Sequence, residues 1–170
     1  MGENKMKTLH DTKELTITRT FDASQELLWR AWTDPEFLKR WWGPKDFTTP
    51  YARIDLRIGG KYLNCMRSPD GKDYWSTGTY KEIIPMKKIV CTDSFADNQG
   101  NVISAALYSM NPDFPPEMLV TVDFKDFYGK TVLTITHEGL PDSEKEMCAQ
   151  GWNESLDKLD KLLSTQHSEP

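Results

Sequence analysis

The order of hydrophobic periods constrains this chain most: one strand-like alternation, two short helical segments, six further strand-like runs and a long amphipathic helix. In residues 14–21, Leu15, Ile17, Arg19 and Phe21 alternate with Glu14, Thr16, Thr18 and Thr20, so successive side chains point to opposite faces of a strand. Asp22 or Ser24 can cap the helix that follows, whose apolar face is Leu27, Leu28, Ala31 and Trp32. Thr33-Asp34-Pro35-Glu36 is a second start signal, with Thr33 at the cap, Pro35 in the first turn and Glu36 reaching back, and Gly43-Pro44 ends that short helix. Strands are predicted at 54–58, where Ile54, Leu56 and Ile58 alternate before a Gly59-Gly60 turn, and at 62–66, 78–84, 89–95, 118–125 and 130–137. The last two are joined by a tight turn at Tyr128-Gly129. After Leu140-Pro141, Ser143 and Glu146 have capping-box spacing, and Cys148, Trp152, Leu156, Leu159 and Leu163 recur at helical spacing. This order fits an α+β chain in which a curved antiparallel sheet wraps around its C-terminal helix. Residues 13–163 are expected to form one domain, with tails at 1–12 and 164–170. The 96–116 connection is long and rich in turn residues, of a kind that often shapes a site.

Aromatic residues are concentrated unevenly. Trp29, Trp32, Trp41 and Trp42 fall within residues 21–44, and Trp152 lies on the distant C-terminal helix, as expected if helices from both ends meet over one apolar chamber. A cluster of this kind is core packing more often than ligand contact, because a buried aromatic stabilises wherever it sits. Trp41 and Trp42 are adjacent, so on one short helix they cannot both face inward. Strand parity adds two polar residues to apolar rows: Asn64 between Tyr62 and Met66, and Asp93 between Cys91 and Phe95. Such residues can orient an otherwise apolar guest, or can serve a backbone or bulge contact.

The run Arg19-Thr20-Phe21-Asp22-Ala23, the step Ala31-Trp32-Thr33-Asp34-Pro35-Glu36, and Arg40-Trp41-Trp42-Gly43-Pro44 follow one another in order. Asp55-Leu56-Arg57 with Gly59-Gly60, Ser68-Pro69-Asp70-Gly71 and Gly151-Trp152 continue the series. In this order they resemble the activator of heat-shock-protein ATPase homologue family, within the START-like or SRPBCC superfamily, over residues 14–163. The resemblance implies a helix-grip fold of the START-like, birch-pollen-allergen-like type, whose sheet and terminal helix enclose a mostly apolar cavity. It implies binding or sequestration of an apolar or aromatic small molecule, with Trp32, Trp41, Tyr62, Asn64, Met66, Tyr80, Asp93, Phe95, Val122, Phe124, Leu133, Trp152 and Leu156 as expected lining. In that family the position of Asn64 usually carries a large apolar side chain, so Asn64 is a departure. The eukaryotic namesake stimulates a chaperone ATPase and has a separate N-terminal domain absent from these 170 residues, so a chaperone partnership rests on one shared domain.

Other chemistries lack their residues. No H-E-x-x-H, G-x-S-x-G or Walker loop occurs, and neither a metal nor a cofactor is expected. His137 alternates with Leu133 and Ile135 and, as a single His without ligands at metal spacing, reads as structural. An enzyme acting on the guest would need an acid or base from Asp93, His137, Glu82 or Tyr80, and the sequence displays no assembled catalytic set. The net charge of -5 opposes sequence-independent nucleic-acid binding. No apolar run approaches a membrane span, and Cys65, Cys91 and Cys148, odd in number and without C-x-x-C spacing, read as reduced thiols of a cytoplasmic protein. The oligomeric state is not encoded in any motif, and a homodimer is left open.

Overall fold

A computed structural model describes residues 14–168. Strand β1 (Glu14–Phe21) leads into helices α1 (Gln25–Thr33) and α2 (Pro35–Leu38). Strands β2 (Thr48–Ile54), β3 (Lys61–Arg67), β4 (Asp73–Ile84), β5 (Lys88–Ala96), β6 (Met118–Phe127) and β7 (Lys130–Glu138) follow, and helix α3 (Lys145–Ser168) completes the order. The strands form one antiparallel sheet in the order β1-β7-β6-β5-β4-β3-β2. Sequential hairpins therefore build the meander from β2 to β7, and β1 joins it by pairing with β7.

Local chemistry explains most boundaries. Ser24 caps α1 by accepting from the Leu27 amide at 3.1 Å. Asp34, rather than Thr33, caps α2 by accepting from the Glu36 amide at 3.0 Å; the Thr33 hydroxyl instead donates back to the Trp29 carbonyl at 2.7 Å. Tyr128 and Gly129 both adopt positive φ, as a two-residue turn between twisted strands requires. Leu56 and Ile58 lie outside β2, which ends at Ile54, and both are exposed: the chain turns there on Asp55, Arg57 and the two glycines. Ser143 lies inside a 3-10 turn at 142–144 that runs into α3, and its hydroxyl accepts from Asn111 Nδ2 at 3.3 Å, so it does not stand as the isolated cap residue expected ahead of the helix. Helix α3 continues to Ser168, past the expected start of a C-terminal tail, whereas the expected N-terminal tail lies outside the described residues.

The main core sits between sheet and helices: Phe21, Leu28, Trp41, Phe124, Leu133, Ile135, Leu156, Leu159 and Leu163 belong to one buried cluster. Polar contacts hold α3 to β1 and to the loop after α2. Arg19 on β1 meets Asp157 at 2.7 Å, the Lys158 ammonium donates to the carbonyls of Pro44 and Phe47 at 3.1 Å each, and the Lys45 amide donates to Glu154 at 3.2 Å. Burial pushes the Lys158 ammonium below its ordinary pKa, against the pull of Asp46 and Glu154. A smaller cluster of Ala105, Phe114, Met118 and Leu140 tucks the long β5–β6 connection against the sheet.

Trp41 and Trp42 both reach the interior because the winding tightens after α2: the Arg40 and Trp41 amides bond three residues back, to Phe37 and Leu38, which changes the angle between successive side chains. Trp41 is fully buried, and its indole N–H donates at 3.0 Å to the Ala31 carbonyl. That carbonyl lies in the last turn of α1, where no intrahelical donor reaches it. Trp41→Phe removes this bond, orphans the carbonyl and leaves a void, so it should cost about 2 to 4 kcal/mol by chemical denaturation. Trp42→Phe, at a half-buried position, should cost clearly less; equal losses would contradict the division of labour between the two indoles.

Candidate functional site

A pocket opens between the sheet, α2 with the loop after it, and α3. It is lined by Trp32, Leu38, Trp42, Ile54, Tyr62, Asn64, Tyr80, Ile89, Cys91, Asp93, Val120, Val122 and Trp152, and its envelope is about 510 Å³, counting the space open to solvent. Five aromatic rings and five aliphatic side chains form most of the wall. Trp42 stands at its centre, edge to face with Trp152 (5.5 Å between centroids) and with Trp32 (6.4 Å).

Strand register builds the polar end. Tyr62 on β3 faces Gly78 on β4, where a Cβ would stand 2.4 Å from the tyrosine ring and 1.9 Å from the Thr92 carbonyl. The missing side chain lets the Tyr62 ring cross β4 and reach β5. There its hydroxyl lies 2.9 Å from Asp93 Oδ1 and 3.1 Å from the Thr92 carbonyl, donating its one proton between them. In the next row, Cys91, Val120 and His137 lie side by side on β5, β6 and β7, which brings the imidazole Nε2 to 3.6 Å from Asp93 Oδ2. From above, the Trp152 indole N–H of α3 meets His137 Nδ1 at 3.1 Å.

That last bond assigns a tautomer. An indole nitrogen only donates, so Nδ1 must accept and the proton of a neutral imidazole sits on Nε2, facing Asp93. Burial holds His137 below its ordinary pKa, opposed by the Asp93 charge, so the pair is a contact between a neutral imidazole and a carboxylate. His137 thus has no free lone pair to accept a proton in this arrangement. Burial, followed by the Asp93 charge, raises the Tyr62 phenol well above its usual range and pushes the Cys91 thiol up to about 12, which keeps both protonated and unreactive. Two buried polar atoms have no partner among the described residues: His137 Nε2 and Asn64 Oδ1.

Of the expected lining residues, Trp32, Tyr62, Asn64, Tyr80, Asp93, Val122 and Trp152 border the pocket. Trp41, Phe124, Leu133 and Leu156 lie in the main core, Phe95 packs against Phe114 at 5.2 Å, and Met66 sits beside Gly43. Parity selects the face of a strand but not the stretch along it, which is where Met66, Phe95, Phe124 and Leu133 depart from the expectation; Trp41 and Leu156 lie off the strands and are spent on the core. Leu38, Trp42, Ile54, Ile89, Cys91 and Val120 complete the lining without having been expected there. Ile89, Cys91 and Val120 share parity with predicted neighbours and were open to the same reasoning; Trp42 was masked by the assumption of a longer α2. Among the described residues no three His, Cys, Asp or Glu side chains are grouped as a metal ion requires.

An antiparallel sheet closed by its C-terminal helix, with the opening between them, defines the helix-grip class. The chain belongs to the family described as Activator of Hsp90 ATPase homolog 1-like protein, which matches residues 22–164. The human activator of 90 kDa heat shock protein ATPase homolog 1 is 27% identical over 142 residues, covering 83% of this chain and 34% of that protein. The mouse counterpart aligns with the same figures, so the chain spans about a third of the length of these curated relatives. Among solved structures, one from Arthrobacter aurescens has TM-score 0.77 at 24% identity, covering 91% of this chain and 88% of that one. A Chromobacterium violaceum protein has TM-score 0.72 at 28% identity, with 88% and 96% covered. A Nitrosomonas europaea protein has TM-score 0.75 at 21% identity, with 93% and 98% covered.

Asn64 is 3% exposed with an unpaired oxygen, so Asn64→Leu should leave stability unchanged or raise it by up to about 1 to 2 kcal/mol in chemical denaturation. A loss above about 2 kcal/mol would instead mark Asn64 as a structural hydrogen-bonding residue. His137 gives a pH signature. Its folded pKa lies below the unfolded value of about 6.5, so the unfolded chain binds the extra proton first and stability falls as pH drops below about 6.5 toward the folded pKa. Thermal midpoints at pH 7.5 and 5.5 should differ less in His137→Gln than in the parent; an equal drop would show that another group carries the acid sensitivity.

Proposed function

We propose that this chain binds an apolar or aromatic small molecule in the pocket over β3–β6 and acts as a carrier or sequestering protein. The observation that carries this reading is an opening walled by Trp32, Trp42, Trp152, Tyr62 and Tyr80 with only two polar lining residues, Asn64 and Asp93. Burying about 250 Å² of guest at about 25 cal/mol/Å² gives a gross gain near 6 kcal/mol, which association costs reduce, so affinities of about micromolar or weaker are expected. A reaction on the guest would have to begin at Asp93, since His137 Nδ1 is occupied by Trp152 and Nε2 bears the proton. The absence of any run long and apolar enough to span a membrane among the described helices, together with three free thiols, supports action in a reducing aqueous compartment.

A second reading comes from the relatives: the human and mouse proteins are named as activators of a heat shock protein ATPase, which favours a chaperone partner for this chain as well. Because the chain spans a third of those proteins, we expect it by itself to leave the turnover of a purified 90 kDa chaperone unchanged. A several-fold rise in ATPase rate would reverse the order of the two readings.

The binding reading predicts saturable quenching or enhancement of intrinsic Trp fluorescence, with a raised thermal midpoint, when the protein is titrated with a panel of indole, naphthol and phenyl-alkyl compounds. If no member of that panel produces a saturable change in either signal, the pocket is packing space and the reading fails.

A further inference from the structure

Several features lie outside this reading. The Phe127–Tyr128 hairpin tip is exposed, but nothing in the structure says what covers it. The Asp97–Asn101 loop spends its carboxylate on its own backbone. The polar end of the pocket has a more definite chemistry.

The donors that reach Asp93 and His137 are already used. The Tyr62 hydroxyl gives its proton to Asp93 and Thr92, and the Trp152 indole gives its proton to His137. No Lys, Arg or His lines the pocket, so nothing there compensates an anion. What is left beside Asp93 for a guest is the carboxylate itself and electron-rich faces, with the Asn64 amide and the Tyr80 hydroxyl, which make no hydrogen bond to the described residues, elsewhere in the wall. Asp93 Oδ2 makes no hydrogen bond, His137 Nε2 standing 3.6 Å away, and its side chain retains 25% exposure. The Asn64 amide, in the same lining, is more than nine-tenths buried with an unpaired oxygen. A turn about its terminal torsion, which has a broad two-fold profile, would exchange amide nitrogen and oxygen and offer that oxygen to the pocket it lines. Around these stand three indoles and two phenols, whose faces attract positive charge, indole most strongly. Carboxylate, amide oxygen and aromatic wall together select a hydrogen-bond donor that is also a cation.

Building on the binding reading above, we propose that the preferred guest is a protonated amine on an apolar or aromatic body, with the ammonium at Asp93 and Asn64 and the body against Trp32, Trp42 and Trp152.

The test uses three compounds of one shape, 3-phenylpropylamine, 3-phenylpropan-1-ol and 3-phenylpropanoate, titrated calorimetrically into the full chain at pH 7. The amine should bind about tenfold or more tighter than the alcohol, and the carboxylate weakest of all. In Asp93→Asn, which keeps an acceptor for Tyr62, the amine and alcohol should converge. Should that variant fail to fold, Asn64→Leu in the same titration must narrow the gap between amine and alcohol. Alcohol binding as tightly as amine to the parent chain, or an amine preference unchanged in the variants, overturns the amine assignment and leaves the binding reading standing. Failure of all three compounds to bind the parent overturns both.

Discussion

Everything in the pocket depends on how α3 is held against the sheet. Leu156, Leu159 and Leu163 supply the apolar part of that contact, and it carries most of the energy, since the Arg19–Asp157 pair is partly exposed and worth little. The Lys158 ammonium has a different task. By donating to the Pro44 and Phe47 carbonyls it ties the helix to the loop that follows Trp41 and Trp42, so helix and aromatic shelf are fixed as one unit. Trp152, three turns closer to the start of the helix than Leu163, then meets both Trp42 and His137. A single docking event thus positions the roof of the pocket, its aromatic wall and the tautomer of its histidine.

The polar end is built on an absence. Gly78 is required because its neighbours on β3 and β5 approach within distances no side chain tolerates, and the space it leaves is where Tyr62 reaches Asp93. The resulting chain Trp152–His137–Asp93–Tyr62 runs from α3 across β7 and β5 to β3, with each donor directed along it. It satisfies most of its members and leaves Asn64 Oδ1 and His137 Nε2 without partners. Unpaired buried atoms are costly, and the place of Asn64 in the pocket wall supports the proposal that a guest partners its oxygen.

Much of the fold was legible in the residues because period-two alternation, the Tyr128-Gly129 turn and the apolar stripe from Trp152 to Leu163 each report local geometry. The errors were also local: Asp34 outcompeted Thr33 as a cap, and Leu56 and Ile58 alternate by chance in a turn. The site was legible in part. Tyr62, Asn64 and Asp93 follow from parity, but which stretch of each strand meets the opening depends on where α3 docks, and no period encodes that. His137 shows the limit most clearly. Its sequence neighbours mark it as an inward strand residue, while its partners, Trp152 and Asp93, arrive from other elements only once the sheet is assembled.

The central claim is that a guest enters between α3 and the sheet, and indole N–H signals report on it directly. In proton–nitrogen correlation spectra of labelled protein titrated with 2-naphthol, the Trp152, Trp42 and Trp32 signals should shift and saturate together. Trp75, which packs against Tyr51 outside the pocket, should stay in place. Shifts confined to Trp75, or an unmoved Trp152 while other signals saturate, would contradict the account.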